Sequence, residues 1–148
     1  MKFFHLSDLH IGKHLFYYSL LEDQKYVFHQ ILEAAKEEQP DAVLLCGDIY
    51  DKTIPSAEAV SLFDWFLTEL KETLPKALLL IIAGNHDRIR PSSALMSFTW
   101  CPNVTFLMSE ELSSVYFRDL NLEVHGFSYH TAEINEARLN GIKAPDDG

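Results

Sequence analysis

Three short apolar runs, Phe3–Leu6, Ala42–Cys46 and residues 77–83, each break off into a small polar cluster. The first ends in Ser7-Asp8-Leu9-His10, the second in Gly47-Asp48 and the third in Gly84-Asn85-His86-Asp87. The stretches between the runs have helical spacing. Over residues 20–38 the apolar positions Leu20, Leu21, Val27, Phe28, Ile31, Leu32 and Ala35 recur near a 3.6-residue period, and Pro40 closes the segment. A second helix is predicted after Pro55. Ser56 is its N-cap, Glu58 lies near the positive end of its dipole, and Val60, Leu62, Phe63, Phe66, Leu67 and Leu70 form its apolar face before Pro75. This β-α-β-α-β order constrains the chain strongly. It predicts a parallel sheet with helices on its faces, and the unbroken apolar run at 42–46 reads as a strand buried on both sides.

Beyond residue 87 the pattern changes. A short helix is predicted at 91–100, strands at 104–107, 115–117 and 122–124, and a hairpin turn at Asp119-Leu120-Asn121. These later strands point to a second sheet. A last helix is predicted at 131–140 with Gly141 as its C-cap, followed by a frayed polar tail at 143–148.

With 148 residues, 47% of them apolar, the chain reads as one domain, or a large piece of one, able to bury a sizeable core. No apolar run reaches the ~18–20 residues of a membrane span. The N-terminus turns polar too soon for a signal peptide, so a cytoplasmic location is expected. Cys46 sits inside an apolar run and reads as a small buried hydrophobe; in a reducing compartment no bridge to Cys101 is expected. The formal net charge of -10 excludes a surface that holds nucleic acid by general phosphate attraction. It leaves open a nucleic-acid substrate held through bound cations or by a partner's basic surface.

In open α/β sheets, ligands bind beyond the carboxyl ends of the parallel strands. The three polar clusters are therefore expected to meet at one edge of the sheet. Each has an ordinary reading by itself: Asp8 as a cap, His10 as a surface histidine, Asp48 as a turn residue, residues 85–87 as a polar loop. Three clusters at three successive strand ends argue against coincidence. Carboxylate, imidazole and amide oxygen, without thiolate, suit manganese, iron or zinc. Two such cations ~3.5–4 Å apart are suited to phosphate-ester hydrolysis. Asp8, His10, Asp48 and Asn85 are the candidate ligands, with Asp48 able to bridge. His86 is the candidate catalytic residue, placed to protonate a leaving oxygen or to stabilise developing charge. Asp51 and Asp87 read as supporting carboxylates, Asp87 as one that could orient His86.

Asp8-x-His10, Gly47-Asp48-x-x-Asp51 and Gly84-Asn85-His86-Asp87 together resemble the calcineurin-like metallophosphoesterase superfamily. The local wording, Leu6-Ser7-Asp8-Leu9-His10-Ile11-Gly12-Lys13 above all, resembles the SbcD-type nuclease subunits of bacterial DNA-repair complexes over residues 1–126. The resemblance implies a four-layer α/β/β/α sandwich, a dimanganese centre, and exonuclease and hairpin-endonuclease activity on DNA. It also implies an SbcC-like ATPase partner and a homodimer of the nuclease subunit. By position, Asp8 and His10 would bind one metal, Asp48 would bridge, Asn85 would bind the second and His86 would be catalytic. Archaeal and eukaryotic relatives have a histidine where this chain has Asp51, which fits the bacterial type. The superfamily's later H-G and G-H-x-H motifs have no counterpart in the expected setting. His125-Gly126 reads as a strand end and His130 as a loop residue. The expectation is a fold truncated before its last metal-ligand motifs, binding metal weakly with little activity by itself.

Lys13 and Arg88 follow the first and third clusters and are candidate phosphate contacts, although solvated surface is the commoner fate of such residues, as for His14 and Arg90. Phe16, Tyr17 and Tyr18 could stack on a base, pack as a loop or meet a second copy. His5 reads as a sheet histidine and His29 as a helix-surface one. Two other functions fit the same residues: a small-molecule or protein phosphoesterase of the superfamily, and a non-catalytic scaffold, which would not require the intact ligand set.

Overall fold

The computed structural model describes residues 1–87, 94–95, 104–109 and 111–129. The predicted helices at 91–100 and 131–140, Arg88, Arg90, His130 and the tail fall outside these residues, apart from Ala94 and Leu95. Three parallel strands, β1 (Phe3–Leu6), β4 (Ala42–Cys46) and β5 (Leu78–Ile82), form where the apolar runs predict them. Between them run α1 (Leu21–Glu38) and α2 (Ala57–Thr73). β1 pairs with β4 from Phe3–Ala42 to Leu6–Leu45, and β4 with β5 from Ala42–Leu78 to Cys46–Ile82. That register brings all three strands to the same edge at their carboxyl ends.

Alternation along the strands separates two faces. Val43, Leu45, Leu79 and Ile81 point into the helix-covered core. There Phe28 of α1 stacks on Phe66 of α2 with ring centroids 4.2 Å apart. The opposite face, with Phe3, His5, Leu44, Cys46 and Ile82, is only partly covered. Half-burial of Cys46 pushes its thiol pKa up, because the anion loses solvation. α1 ends at Gln39, which takes a left-handed conformation (φ 44°) and donates its amide to the Ala35 carbonyl, after which Pro40 cannot continue the helix. α2 begins as expected: the Ser56 hydroxyl accepts from the Ala59 amide.

The later strands divide in a way the sequence pattern does not foresee. β6 (Val104–Phe106) joins the first sheet, parallel to β5, giving the order β1-β4-β5-β6. Of the later strands among the described residues, β7 (Ser113–Phe117) and β8 (Leu122–Gly126) form a separate antiparallel pair. They are joined by a single 3-10 turn, Arg118–Leu120, that closes at Asn121 with φ 47°. β6 is short and gives no period to tell the two cases apart; what recruits it is the parallel edge of β5. The small hairpin β2 (His14–Leu15) and β3 (Tyr18–Ser19) is a further element absent from the sequence reading. Its tip, Phe16 and Tyr17, and the adjoining Tyr18 of β3 are largely in solvent, Tyr17 at 97%. No helix of the described residues is long and apolar enough to cross a membrane.

A candidate metal centre at the strand ends

The loops leaving the three strands are tied to one another before any side chain meets a ligand. After β1 and β4 the backbones continue side by side. Asp8 N–H donates to the Gly47 carbonyl (3.1 Å), His10 N–H to that of Asp48 (2.9 Å), Ile11 N–H to that of Ile49 (2.8 Å) and Asp51 N–H to that of Ile11 (3.1 Å). The loops after β4 and β5 clasp each other reciprocally. The Asp48 carboxylate accepts from the His86 amide (2.9 Å). The Asp87 carboxylate accepts from the amides of Ile49 (3.0 Å), Tyr50 (2.9 Å) and Gly84 (3.0 Å). Asp87 is only 3% exposed, and three charge-assisted hydrogen bonds offset the cost of burying it. Ser128 completes the junction, accepting from the Ala83 amide (2.9 Å) and donating to the Leu107 carbonyl (2.8 Å).

This packing explains the glycines. Gly47 has φ +86°, and a Cβ there would lie 2.9 Å from the Gly84 Cα. A Cβ on Gly84 would overlap the Asp48 carboxylate and amide. The two glycines allow adjacent loops to touch backbone to backbone. The expected ligands meet an unusual backbone demand of their own. Asp8 (φ 56°), His10 (φ 45°) and Asp48 (φ 50°) all lie in the left-handed region, where non-glycine residues are uncommon. Such conformations persist only where the surroundings enforce them, and the loop-to-loop hydrogen bonds do so here.

Side chains from all three loops converge. One ligand atom each of His10, Asp48 and His86 lies within 4.8 Å of the other two. His10 Nε2 is 4.0 Å from Asp48 Oδ2 and 3.9 Å from Asp8 Oδ1. Donors bound at ~2.1 Å to one cation stand about 3–4 Å apart, so the His10–Asp8 and His10–Asp48 separations fit a shared divalent ion. The charge balance fits too: Asp8, Asp48, Asp51 and Asp87 crowd the strand ends, and Lys13, whose Nζ is 4.0 Å from Asp51 Oδ1, is the nearby cation among the described ion pairs. A bound cation would relieve that repulsion. Asp8 is the most open member, its side chain 69% exposed, and Asn85 is exposed at the turn between Gly84 and His86.

The two imidazoles meet edge to face, with centroids 4.8 Å apart and an interplanar angle of 85°. His86 Nδ1 is 2.7 Å from the backbone carbonyl of Asp51. A carbonyl only accepts, so Nδ1 carries the proton and Nε2 is the free nitrogen. The expectation that Asp87 orients His86 is thereby corrected. The Asp87 carboxylate is engaged by three backbone amides, and the Asp51 carbonyl holds the ring. His125 does not join the cluster: it lies on β8 with Nε2 3.7 Å from Glu123 Oε2. His14 Nδ1 turns back to the Gly12 carbonyl (3.0 Å), and His29 leans on Trp65.

Gln24 is the positioning residue that the sequence reading passes over. Its amide donates to the carbonyls of Leu9 (3.0 Å) and His10 (2.8 Å) and accepts from the Gly12 amide (3.0 Å), so one α1 side chain clamps the whole first loop. A signal was present: Gln24 falls three residues after Leu21 and four before Phe28, on the apolar stripe of α1, where a polar side chain needs a partner.

A family model for calcineurin-like phosphoesterases matches residues 1–146, nearly the whole chain, and the chain belongs to that family.

Proposed function

We propose that this calcineurin-like phosphoesterase is a metal-dependent DNA nuclease subunit of the SbcD type, acting on DNA ends and hairpins in double-strand-break repair beside an SbcC-like ATPase. In this reading the protein works as a homodimer and its cations are manganese. Metal-dependent phosphoester hydrolysis belongs to the family. The narrower reading is supported by the wording of the first motif, Leu6-Ser7-Asp8-Leu9-His10-Ile11-Gly12-Lys13, and by Gly47-Asp48-Ile49-Tyr50-Asp51.

The observation that carries the chemistry is the convergence of His10, Asp48 and His86 from three separate loops. Asp8, His10, Asp48 and Asn85 are the residues that would hold two cations, with Asp48 between them. Bound there, the cations supply an activated water and neutralise charge on the phosphoryl oxygens. The chain's own contribution is placement and proton handling. The Asp51 carbonyl holds the proton of His86 on Nδ1, which leaves Nε2 to face the substrate. In the imidazolium form Nε2 donates to the leaving oxygen; in the neutral form it can only accept. Asp48 fixes the backbone of His86 through the His86 amide, coupling the position of the acid to that of the bridging carboxylate.

The net charge of -10 favours a second reading, a phosphoesterase for small or protein-borne phosphoesters, since such a surface repels polyanions. Manganese-dependent hydrolysis of linear duplex DNA, of a hairpin end and of a nitrophenyl phosphomonoester by the full chain separates the two. Cleavage of DNA that falls about 10²–10⁴-fold in His86→Ala supports the nuclease reading. Turnover of the monoester alone would favour the second, and undiminished cleavage by His86→Ala would remove the catalytic role of His86.

A further inference from the structure

We infer that Asp51 is a positioning residue for both imidazoles of the centre, holding the Nδ1 edge of His10 with its carboxylate and that of His86 with its carbonyl. The His86 half is direct, a 2.7 Å hydrogen bond to the backbone oxygen. The His10 half rests on what surrounds its ring. His10 Nδ1 is sealed from solvent and has no hydrogen-bond partner among the described residues. The carboxylate facing it is that of Asp51, with Oδ1 at 3.6 Å. Closure of about half an ångström turns that approach into a hydrogen bond. The other ring nitrogen, Nε2, faces Asp8 and Asp48. Each of these carboxylates can only accept. Asp51 is the nearest, at 3.6 Å from Nδ1 against 3.9 and 4.0 Å for Asp8 and Asp48 from Nε2, and it favours the form of His10 with the proton on Nδ1 and the lone pair on Nε2. Carboxylates placed behind a ligating imidazole fix its tautomer and its ring orientation in this way.

Asp51 is well placed for the task. Its amide is anchored to the Ile11 carbonyl (3.1 Å), so the residue is tied to the loop that carries His10. Lys13, with Nζ 4.0 Å from the same Oδ1, offsets part of the charge. The side chain is mostly shielded and turned toward His10 rather than into open solvent, which argues against direct action on a leaving group. This inference relies on the metal-centre reading only for its effect on affinity. The tautomers belong to the metal-free protein.

The test is imidazole nitrogen-15 and carbon-13 NMR of the metal-free full chain at about pH 8, above the ordinary titration range of histidine, joined to manganese titration by calorimetry. In the wild type both His10 and His86 are expected in the Nδ1–H form. In Asp51→Ala, His10 is expected to shift toward the Nε2–H form while His86, held by a backbone carbonyl, does not; manganese affinity falls about 10–100-fold. Asp51→Asn, which keeps an acceptor oxygen, is expected to restore the His10 tautomer and most of the affinity. A wild-type His10 in the Nε2–H form overturns the inference, even if Asp51→Ala fails to fold. So does an unchanged His10 tautomer in Asp51→Ala, or equal loss in the Asn and Ala variants. Absence of phosphoesterase activity with the tautomers as stated would count against the functional reading and not against this one.

Discussion

The helix-covered face of the sheet and its carboxyl edge are built from the same strands and held by different forces. On the face, Val43, Leu45, Phe63, Phe66, Leu70 and Ile81 are buried by apolar packing, which is non-directional and shared among many neighbours. At the edge, Asp8, His10 and Asp48 sit in left-handed backbone conformations and are held by individual hydrogen bonds, each with its own donor and acceptor. The face supplies free energy; the edge consumes part of it to hold strained loops in one arrangement. The contrast implies that the two regions fail differently when altered.

The largest expected effect is on the face. Phe66→Ala removes a fully buried ring stacked on Phe28, and chemical denaturation should show a loss of about 3–5 kcal/mol. Its folded fraction should bind manganese as the wild type does; weakened affinity would mean that face and edge are not separable. Next comes Asp87→Ala, which leaves the buried amides of Ile49, Tyr50 and Gly84 without their acceptor. A loss of about 3 kcal/mol is expected, and, unlike Phe66→Ala, reduced manganese binding in the folded protein, both readable from one denaturation series with and without metal. Gln24→Ala should act mainly on the edge, lowering manganese affinity about tenfold by loosening the His10 loop, with the helix content seen by circular dichroism unchanged.

The smallest effect is a pH dependence remote from the site. The backbone amide of Glu58 itself and the Ser56 hydroxyl hold the Glu58 carboxyl below its usual value of 4.5, and Lys2 does the same for Glu38. A lowered folded pKa favours folding above the unfolded pKa, and this contribution is lost as pH falls through the folded value. Melting temperature should therefore drop below about pH 4.5, and the difference between Glu58→Gln and the wild type should shrink as pH falls from 6 to 3. Equal differences at both pH values would show that the cap contact contributes nothing through charge.

The contrast also explains what could be read from the sequence. The face was legible because apolar periodicity is a local, repeated signal: β1, α1, β4, α2 and β5 all fall where the spacing predicts. The convergence of the strand ends was legible because parallel topology forces it. The fastenings were not. The carboxylate of Asp87 reaches amides 37 and 38 residues away, and Gln24 reaches carbonyls 14 and 15 residues away. Apart from the Gly84 amide, three residues before Asp87, neither partner set leaves a local pattern, so Asp87 reads as a neighbour of His86 when its carboxylate also serves the β4 loop. The placement of β6 was ambiguous for a related reason. Three residues show no useful period, and their pairing depends on which edge is open.

The central claim is that the three strand ends form one metal centre. Paramagnetic broadening by substoichiometric manganese in a nitrogen-15-labelled sample tests it most directly. The amides of Asp8 to Ile11, Asp48 to Asp51 and Gly84 to Asp87 should broaden together at the lowest manganese concentrations, while α1 and α2 residues facing away, such as Glu37 and Glu72, remain sharp. Broadening confined to one of the three loops, or spread evenly over exposed carboxylates, would contradict the account.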